Sequence, residues 1–100
     1  MERHRAAREA ELACDPAFAE KVRATFLVDG RLVAIPARLK KQRVVLEHLA
    51  GLFDPDRSYH ELEVNAVLGA VHDDVATLRR LLVTEKQLER ENGIYRRVVA

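Results

Sequence analysis

The dipeptide Asn92-Gly93 constrains the fold of this chain most, because it separates two short segments, Leu88–Glu91 and Ile94–Arg97, that can pair as strands. Asn and Gly both accept the positive φ angles of a two-residue hairpin turn, so this pair is the strongest short-range sign of a hairpin. The sequence therefore predicts two antiparallel strands over residues 88–91 and 94–97.

A second hairpin is predicted around Asp29-Gly30, which separates residues 26–28 from residues 31–35. Pro36 should end its second strand, because proline cannot donate to a strand ladder.

Helical signals fill most of the remaining chain. Residues 2–14 are rich in Ala, Glu and Arg, which favours a helix. Asp15-Pro16 supplies an N-cap and a first-turn proline, so a second helix should run over 16–24. A third helix should begin at Arg38 and end before the sequence Asp54-Pro55-Asp56. Its apolar face should hold Val45, Leu46, Leu49, Leu52 and Phe53.

Two further helices should follow with very little chain between them. Ser58 and Glu61 match a capping box, and the helix that they open should end near His72. Its apolar positions are Val64, Val67, Leu68 and Val71. Asp73 is expected to cap the next helix, with Asp74 at its start. That helix should bury Val75, Leu78, Leu81 and Leu82 and turn Ala76, Thr77, Arg79, Arg80 and Val83 outward.

A supporting helix, two helices joined by a tight turn and a closing hairpin form the order of a winged helix-turn-helix. The predicted fold class is therefore α+β, with this unit over residues 37–98 and a helix-and-hairpin extension over residues 1–36. An α+β domain of unrelated topology is the alternative. One hundred residues, 48% of them hydrophobic, suit a single domain over 1–100. The chain has no long apolar run and a single cysteine, which favours a soluble cytoplasmic protein with no membrane partner.

The net charge of +1 conceals an uneven distribution along the chain. Residues 37–53 have four basic residues against one acidic residue, a net charge of +3. Residues 54–74 carry six acids against one base, a net charge of −5. Residues 75–100 carry six bases against three acids, again +3. A nucleic-acid site would therefore have to be built from the two basic segments.

Duplex DNA is the partner that this arrangement suggests. Arginine can contact phosphates or read guanine, and the predicted recognition helix and wing both carry it. The candidate contact residues are Thr77, Arg79, Arg80, Arg90 and Arg97, with Lys40, Lys41 and Arg43 as a phosphate patch. Asp73 and Asp74 place negative charge where a groove would be entered, which predicts weak, salt-sensitive binding. Whichever of Arg96 and Arg97 faces inward should pair with Glu63 or Asp74.

The alternative function is a protein–protein interaction or dimerisation module, with a second copy or a regulator protein as its partner. Here Arg79 and Arg80 would pair with nearby acids instead of meeting DNA. An enzyme is not expected, and neither is a cofactor. The sequence His72-Asp73-Asp74 is interpreted as a helix-capping turn, and the scattered histidines match no metal-site spacing. Cys14 has no evident base partner.

Several short stretches are specific when taken together. These are Phe26, Asp29-Gly30-Arg31-Leu32, Ile35-Pro36-Ala37, Lys40-Lys41, Val45-Leu46, residues 59–65, His72-Asp73-Asp74, residues 78–83 and Tyr95-Arg96-Arg97. In them the chain resembles the prokaryotic family numbered twenty eighty-seven among the domains of unknown function, with departures at Arg38 and His60. Members of that family occur alone or appended to ArsR- or MarR-like transcriptional regulators. The resemblance implies a link to transcription control and no established biochemical activity.

Overall fold

The computed structural model describes residues 15–99, and the predicted helix over 2–14 lies outside them together with Cys14. Within this range the chain forms four helices and two small antiparallel sheets, which confirms the α+β class. In chain order the elements are α1 (Pro16–Phe26), β1 (Leu27–Val28), β2 (Arg31–Leu32), α2 (Leu39–Ala50), β3 (Ser58–His60), α3 (Glu61–Gly69), α4 (Val75–Thr84), β4 (Leu88–Glu91) and β5 (Ile94–Arg97). The order from α2 to β5 is compatible with a winged helix-turn-helix. None of these helices has the length and apolar character needed to cross a membrane.

The first helix begins as predicted and ends later than predicted. Asp15 caps α1, since its carboxylate accepts from the Ala17 N–H at 3.0 Å. The helix continues to Phe26, two residues past the expected end. Because Phe26 stays helical, β1 offers only two residues for pairing, and β2 ends at Leu32 instead of residue 35. The Leu32 N–H then donates to the Val71 carbonyl at 2.9 Å, which links this hairpin to the turn after α3.

The second helix, α2, is the most deeply buried of the four in residues 15–99. It contacts α1 and also α4, so its buried surface is wider than one apolar face. This explains the burial of Val44, which the apolar periodicity missed. The prediction for Leu52 was wrong: the helix ends at Ala50, and the turn that follows leaves Leu52 exposed. Phe53, in the same turn, is buried.

The third helix has its N-cap at His60, whereas the sequence predicted the cap at Ser58. Ser58 lies in β3, so its proposed capping box with Glu61 was wrong. His60 is the N-cap, and a carboxylate oxygen of Glu63 accepts from its backbone N–H at 3.1 Å. The helix ends at Gly69, before His72, because the Val71 and His72 N–H groups both turn back to the Leu68 carbonyl.

The cap of α4 is Asp74, and the assignment of this role to Asp73 was wrong. The Asp74 carboxylate accepts from the Thr77 N–H at 3.2 Å. The Asp73 carboxylate instead lies 3.2 Å from the Arg31 guanidinium, in an exposed ion pair. Asp73 and Asp74 therefore both lie at the start of α4. Only the Asp74 side chain accepts a hydrogen bond from a free backbone N–H of the first helical turn.

The C-terminal hairpin has the predicted strand bounds. Asn92 and Gly93 have φ angles of 52° and 78°, as the turn requires. The sheet order is β3-β5-β4, so β3 adds a third strand to the hairpin. Tyr59 of β3 lies opposite Tyr95 of β5, and both side chains are buried.

One continuous core joins the helices to this sheet. Its fully buried large side chains are Leu46, Leu49, Phe53, Leu68, Leu78, Leu82, Leu88 and Tyr95. On α4, Leu78 and Leu82 are buried as predicted, whereas Val75 and Leu81 are only half-buried. Helices and sheet therefore share one core, which is compatible with a winged arrangement.

Two leucines of α3 provide a matched test of this core. Leu68 is 0% exposed and Leu62 is 81% exposed. We expect Leu68→Ala to lower the free energy of unfolding by about 2–5 kcal/mol, because it removes buried methyl groups and leaves a cavity. Leu62→Ala should change it by less than about 0.5 kcal/mol. Urea denaturation followed by circular dichroism measures both, and equal effects would contradict the packing of α3.

Candidate nucleic-acid interface

We call the hairpin of β4 and β5 the wing. A cleft of about 350 Å³ lies between α4 and the wing. Its lining residues are Ala76, Arg79, Arg80, Val83, Thr84, Arg90 and Tyr95. We call this feature the α4–wing cleft. The fold brings three of the eight predicted contact residues together here: Arg79, Arg80 and Arg90.

Arg80 and Arg90 are the exposed arginines of the α4–wing cleft. Arg80 comes from α4 and Arg90 from β4. Neither forms an ion pair with another residue in the described part of the chain. The Arg90 guanidinium lies 5.8 Å from the centroid of the Tyr95 ring, a distance typical of a cation–π contact. The cleft thus presents two guanidinium groups without a carboxylate partner.

Arg79 is placed differently, and its predicted outward orientation was wrong. Its side chain is 23% exposed and turns back against α3. The Arg79 Nε lies 3.5 Å from a carboxylate oxygen of Glu61, and another guanidinium nitrogen donates to the Asn65 side-chain oxygen. Arg79 therefore links α3 to α4.

Glu61 has a second partner in the sheet. The buried Tyr95 hydroxyl donates to the same Glu61 oxygen at 3.0 Å. Burial, and then this hydrogen bond to the Glu61 carboxylate, raise the pKa of the Tyr95 phenol above its usual value. Asn65, Arg79, Glu61 and Tyr95 form one connected polar network across α3, α4 and β5, which we call the Glu61 network.

Thr77 lies at the start of α4 and does not line the cleft. It is half-buried, and its backbone N–H is used to cap the helix. Hydrogen bonds from the Thr77 side chain and backbone lower the pKa of the Asp74 carboxyl. The negative charge of Asp74 is therefore stabilised near one end of the helix.

Arg97 also lies outside the cleft. It is partly buried and donates to the Phe53 carbonyl oxygen at 3.4 Å. The expected pairing of an inward arginine with Glu63 or Asp74 was wrong, because Glu63 pairs with Arg57 and Asp74 caps α4. A backbone carbonyl in the turn after α2 accepts from the guanidinium instead.

The basic residues predicted as a phosphate patch on α2 do not share one cavity. Lys40 is exposed. Lys41 lines a separate cavity of about 230 Å³ against Phe18 and Phe26 of α1. Arg43 lies 3.7 Å from a carboxylate oxygen of Glu85 at the end of α4. The three side chains therefore have three different surroundings.

The role of Glu61 was not predicted. Its position suggested part of a helix cap, whereas the structure places it between Arg79 and Tyr95. No local pattern marks that position, because it depends on how α3 crosses α4 and the sheet. Over residues 15–99, no group of three or more His, Cys, Asp or Glu side chains is arranged to hold a metal ion.

The comparisons with known proteins give one match. A family model described as an uncharacterized protein conserved in bacteria, DUF2087, matches residues 31–97. The chain belongs to this family. The match runs from β2 to β5, so the α4–wing cleft and the Glu61 network both lie within the DUF2087 region. No curated protein and no solved structure matches the chain.

Arg79 and Arg80 are neighbours on α4, but only Arg79 contacts Glu61, so substituting each in turn tests the Glu61 network. Arg79→Ala should lower the free energy of unfolding by about 1–2 kcal/mol, because it removes the bond to Asn65 and leaves Glu61 without its cation. Arg80→Ala is the control, and we expect a change of less than about 0.5 kcal/mol because Arg80 is exposed. Thermal or urea denaturation checks both. An equal cost for the two variants would show that Arg79 has no structural role.

Proposed function

We propose that this DUF2087 protein binds duplex DNA through the α4–wing cleft and acts in transcription-related regulation. The observation that carries the proposal is the convergence of Arg80 from α4 and Arg90 from the wing on one cleft. Both side chains are exposed, and neither is paired with a carboxylate in the described residues.

The arrangement of elements supports a duplex as the ligand. In a winged helix-turn-helix, the second helix of the tight pair enters the major groove and the hairpin reaches the adjoining backbone. Here α4 would be that helix and β4–β5 the wing. Arg80 and Arg90 stand on the two sides of the cleft, where each can contact a phosphate or a base edge.

The surrounding charges set the expected strength of binding. Asp73 and Asp74 repel phosphate at the start of α4, and hydrogen bonds from Thr77 lower the pKa of the Asp74 carboxyl further. Two unpaired arginines release few counterions, so the logarithm of affinity should fall with the logarithm of salt with a slope of about −2. The proposed binding is therefore weak and is strongest at low ionic strength.

Fluorescence anisotropy with a labelled mixed-sequence duplex tests this proposal. We expect binding at low salt that weakens as salt rises, and its loss in the double variant Arg80→Glu/Arg90→Glu. The matched comparison is Arg38→Glu/Lys40→Glu, which changes the same charge at the start of α2. Unchanged affinity in the cleft variant, or a loss confined to the α2 variant, would contradict the assignment of the cleft.

Self-association is a second candidate function, and one surface favours it. The solvent-facing side of α3 is apolar, with Leu62 81% exposed and Ala66 also exposed. A surface helix usually turns polar residues outward, so this face suits a partner. A second copy could supply one, since Leu39 is half-exposed between the basic residues Arg38 and Lys40, whereas α3 begins with acidic residues.

Sedimentation equilibrium tests the second candidate. If α3 binds a second copy, the wild-type protein should be a dimer and Leu62→Lys should make it a monomer. The substitution should leave the fold intact, because Leu62 lies outside the core. A wild-type protein that remains monomeric at high concentration would rule out self-association through α3.

A further inference from the structure

We propose that Glu61 withholds Arg79 from DNA, so that the α4–wing cleft offers two of its three arginines to the ligand. The proposal rests on the DNA binding described above and assigns a role to each arginine in the cleft. Arg80 and Arg90 would contact DNA, Arg79 would be a positioning residue, and Glu61 would set the number of available cations.

The geometry of the Glu61 carboxylate supports this division. A single oxygen of Glu61 accepts from the Tyr95 hydroxyl at 3.0 Å and lies 3.5 Å from the Arg79 Nε. Asn65, one turn further along α3, accepts from another nitrogen of the same guanidinium. Arg79 is therefore held by two side chains of α3, and one of these is fixed by the sheet.

This ion pair differs from an ordinary surface pair. Exposed pairs gain little because two long side chains must be ordered in water. Here the Arg79 side chain is 23% exposed and Tyr95 is 2% exposed, so part of that order comes from the packing of α4 and β5. Leaving the pair would cost Arg79 its contacts with both Glu61 and Asn65.

The consequence for binding follows from counterion release. An arginine that already neutralises a carboxylate adds little net positive charge to the cleft, so it displaces few of the counterions that are condensed on the DNA. Arg90 faces the Tyr95 ring instead, which leaves its positive charge available. Removing the charge of Glu61 should therefore convert Arg79 from a structural cation into a third available one.

The substitution Glu61→Gln tests this directly. Glutamine keeps an oxygen that can accept from Tyr95 and Arg79, so the crossing of α3 and α4 should persist. At ~0.1 M salt the affinity for a labelled duplex should rise about fivefold, and the salt slope should steepen by about 0.9. Glu89→Gln is the control, because it makes the same charge change on a separate cavity of the wing. We expect a change of less than about twofold there.

A double-mutant cycle separates a withheld arginine from a direct contact. Arg79→Gln alone should weaken binding, because it leaves Glu61 uncompensated, and Glu61→Gln/Arg79→Gln should return the affinity to within about twofold of wild type. A double variant as weak as Arg79→Gln would show that Arg79 contacts DNA in the wild-type protein. Thermal denaturation of each variant checks that the fold is retained.

The outcomes for this inference and for DNA binding are distinguishable. Wild-type binding with no gain in Glu61→Gln, or with an equal gain in Glu89→Gln, would overturn the role of Glu61 alone. Absence of binding by both wild type and Glu61→Gln at low salt would overturn both proposals. Binding by Glu61→Gln with none by wild type would support the restraint of Arg79 by Glu61 and would overturn DNA binding by the wild-type protein.

Discussion

The pairing of β3 with β5 is the interaction on which the rest of the structure depends. It places Tyr59 opposite Tyr95 and joins the wing to the chain immediately before α3. Because α3 begins directly after β3, the register of this pair also sets where Glu61 lies against the sheet. The Tyr95 hydroxyl then reaches Glu61, and Glu61 meets Arg79 of α4. The geometry of the α4–wing cleft thus follows from a three-residue strand.

The electrostatics of the cleft are a balance between three arginines and the acids around them. Arg79 is compensated by Glu61, whereas Arg80 and Arg90 are exposed without an ion pair in the described residues. Asp74 caps α4 and adds negative charge at one end of the same helix. A change of one carboxylate therefore alters the available positive charge substantially, which suits a weak and adjustable contact with a polyanion.

Local signals predicted the elements well, and long-range contacts explain the errors. Asn92-Gly93 gave both strands of the wing with their observed bounds, and Asp15-Pro16 gave the start of α1, because turn and cap chemistry acts over a few residues. Ser58 was misplaced because its strand pairs with β5, far along the chain. The contacts that restrain Arg79 were not predicted. Helical periodicity shows which face of its helix a residue occupies, but it does not show which acidic residue a neighbouring helix brings close to it.

The most direct test of the central claim maps the duplex on the protein. In ¹H–¹⁵N correlation spectra of labelled protein at low salt, added duplex should shift the signals of Arg80 and its neighbours on α4 and of Arg90 on the wing. The Arg79 side-chain signal should change less than that of Arg80, because Arg79 remains paired with Glu61. Shifts confined to α2 or to the outer face of α3, or none with excess duplex, would contradict the account.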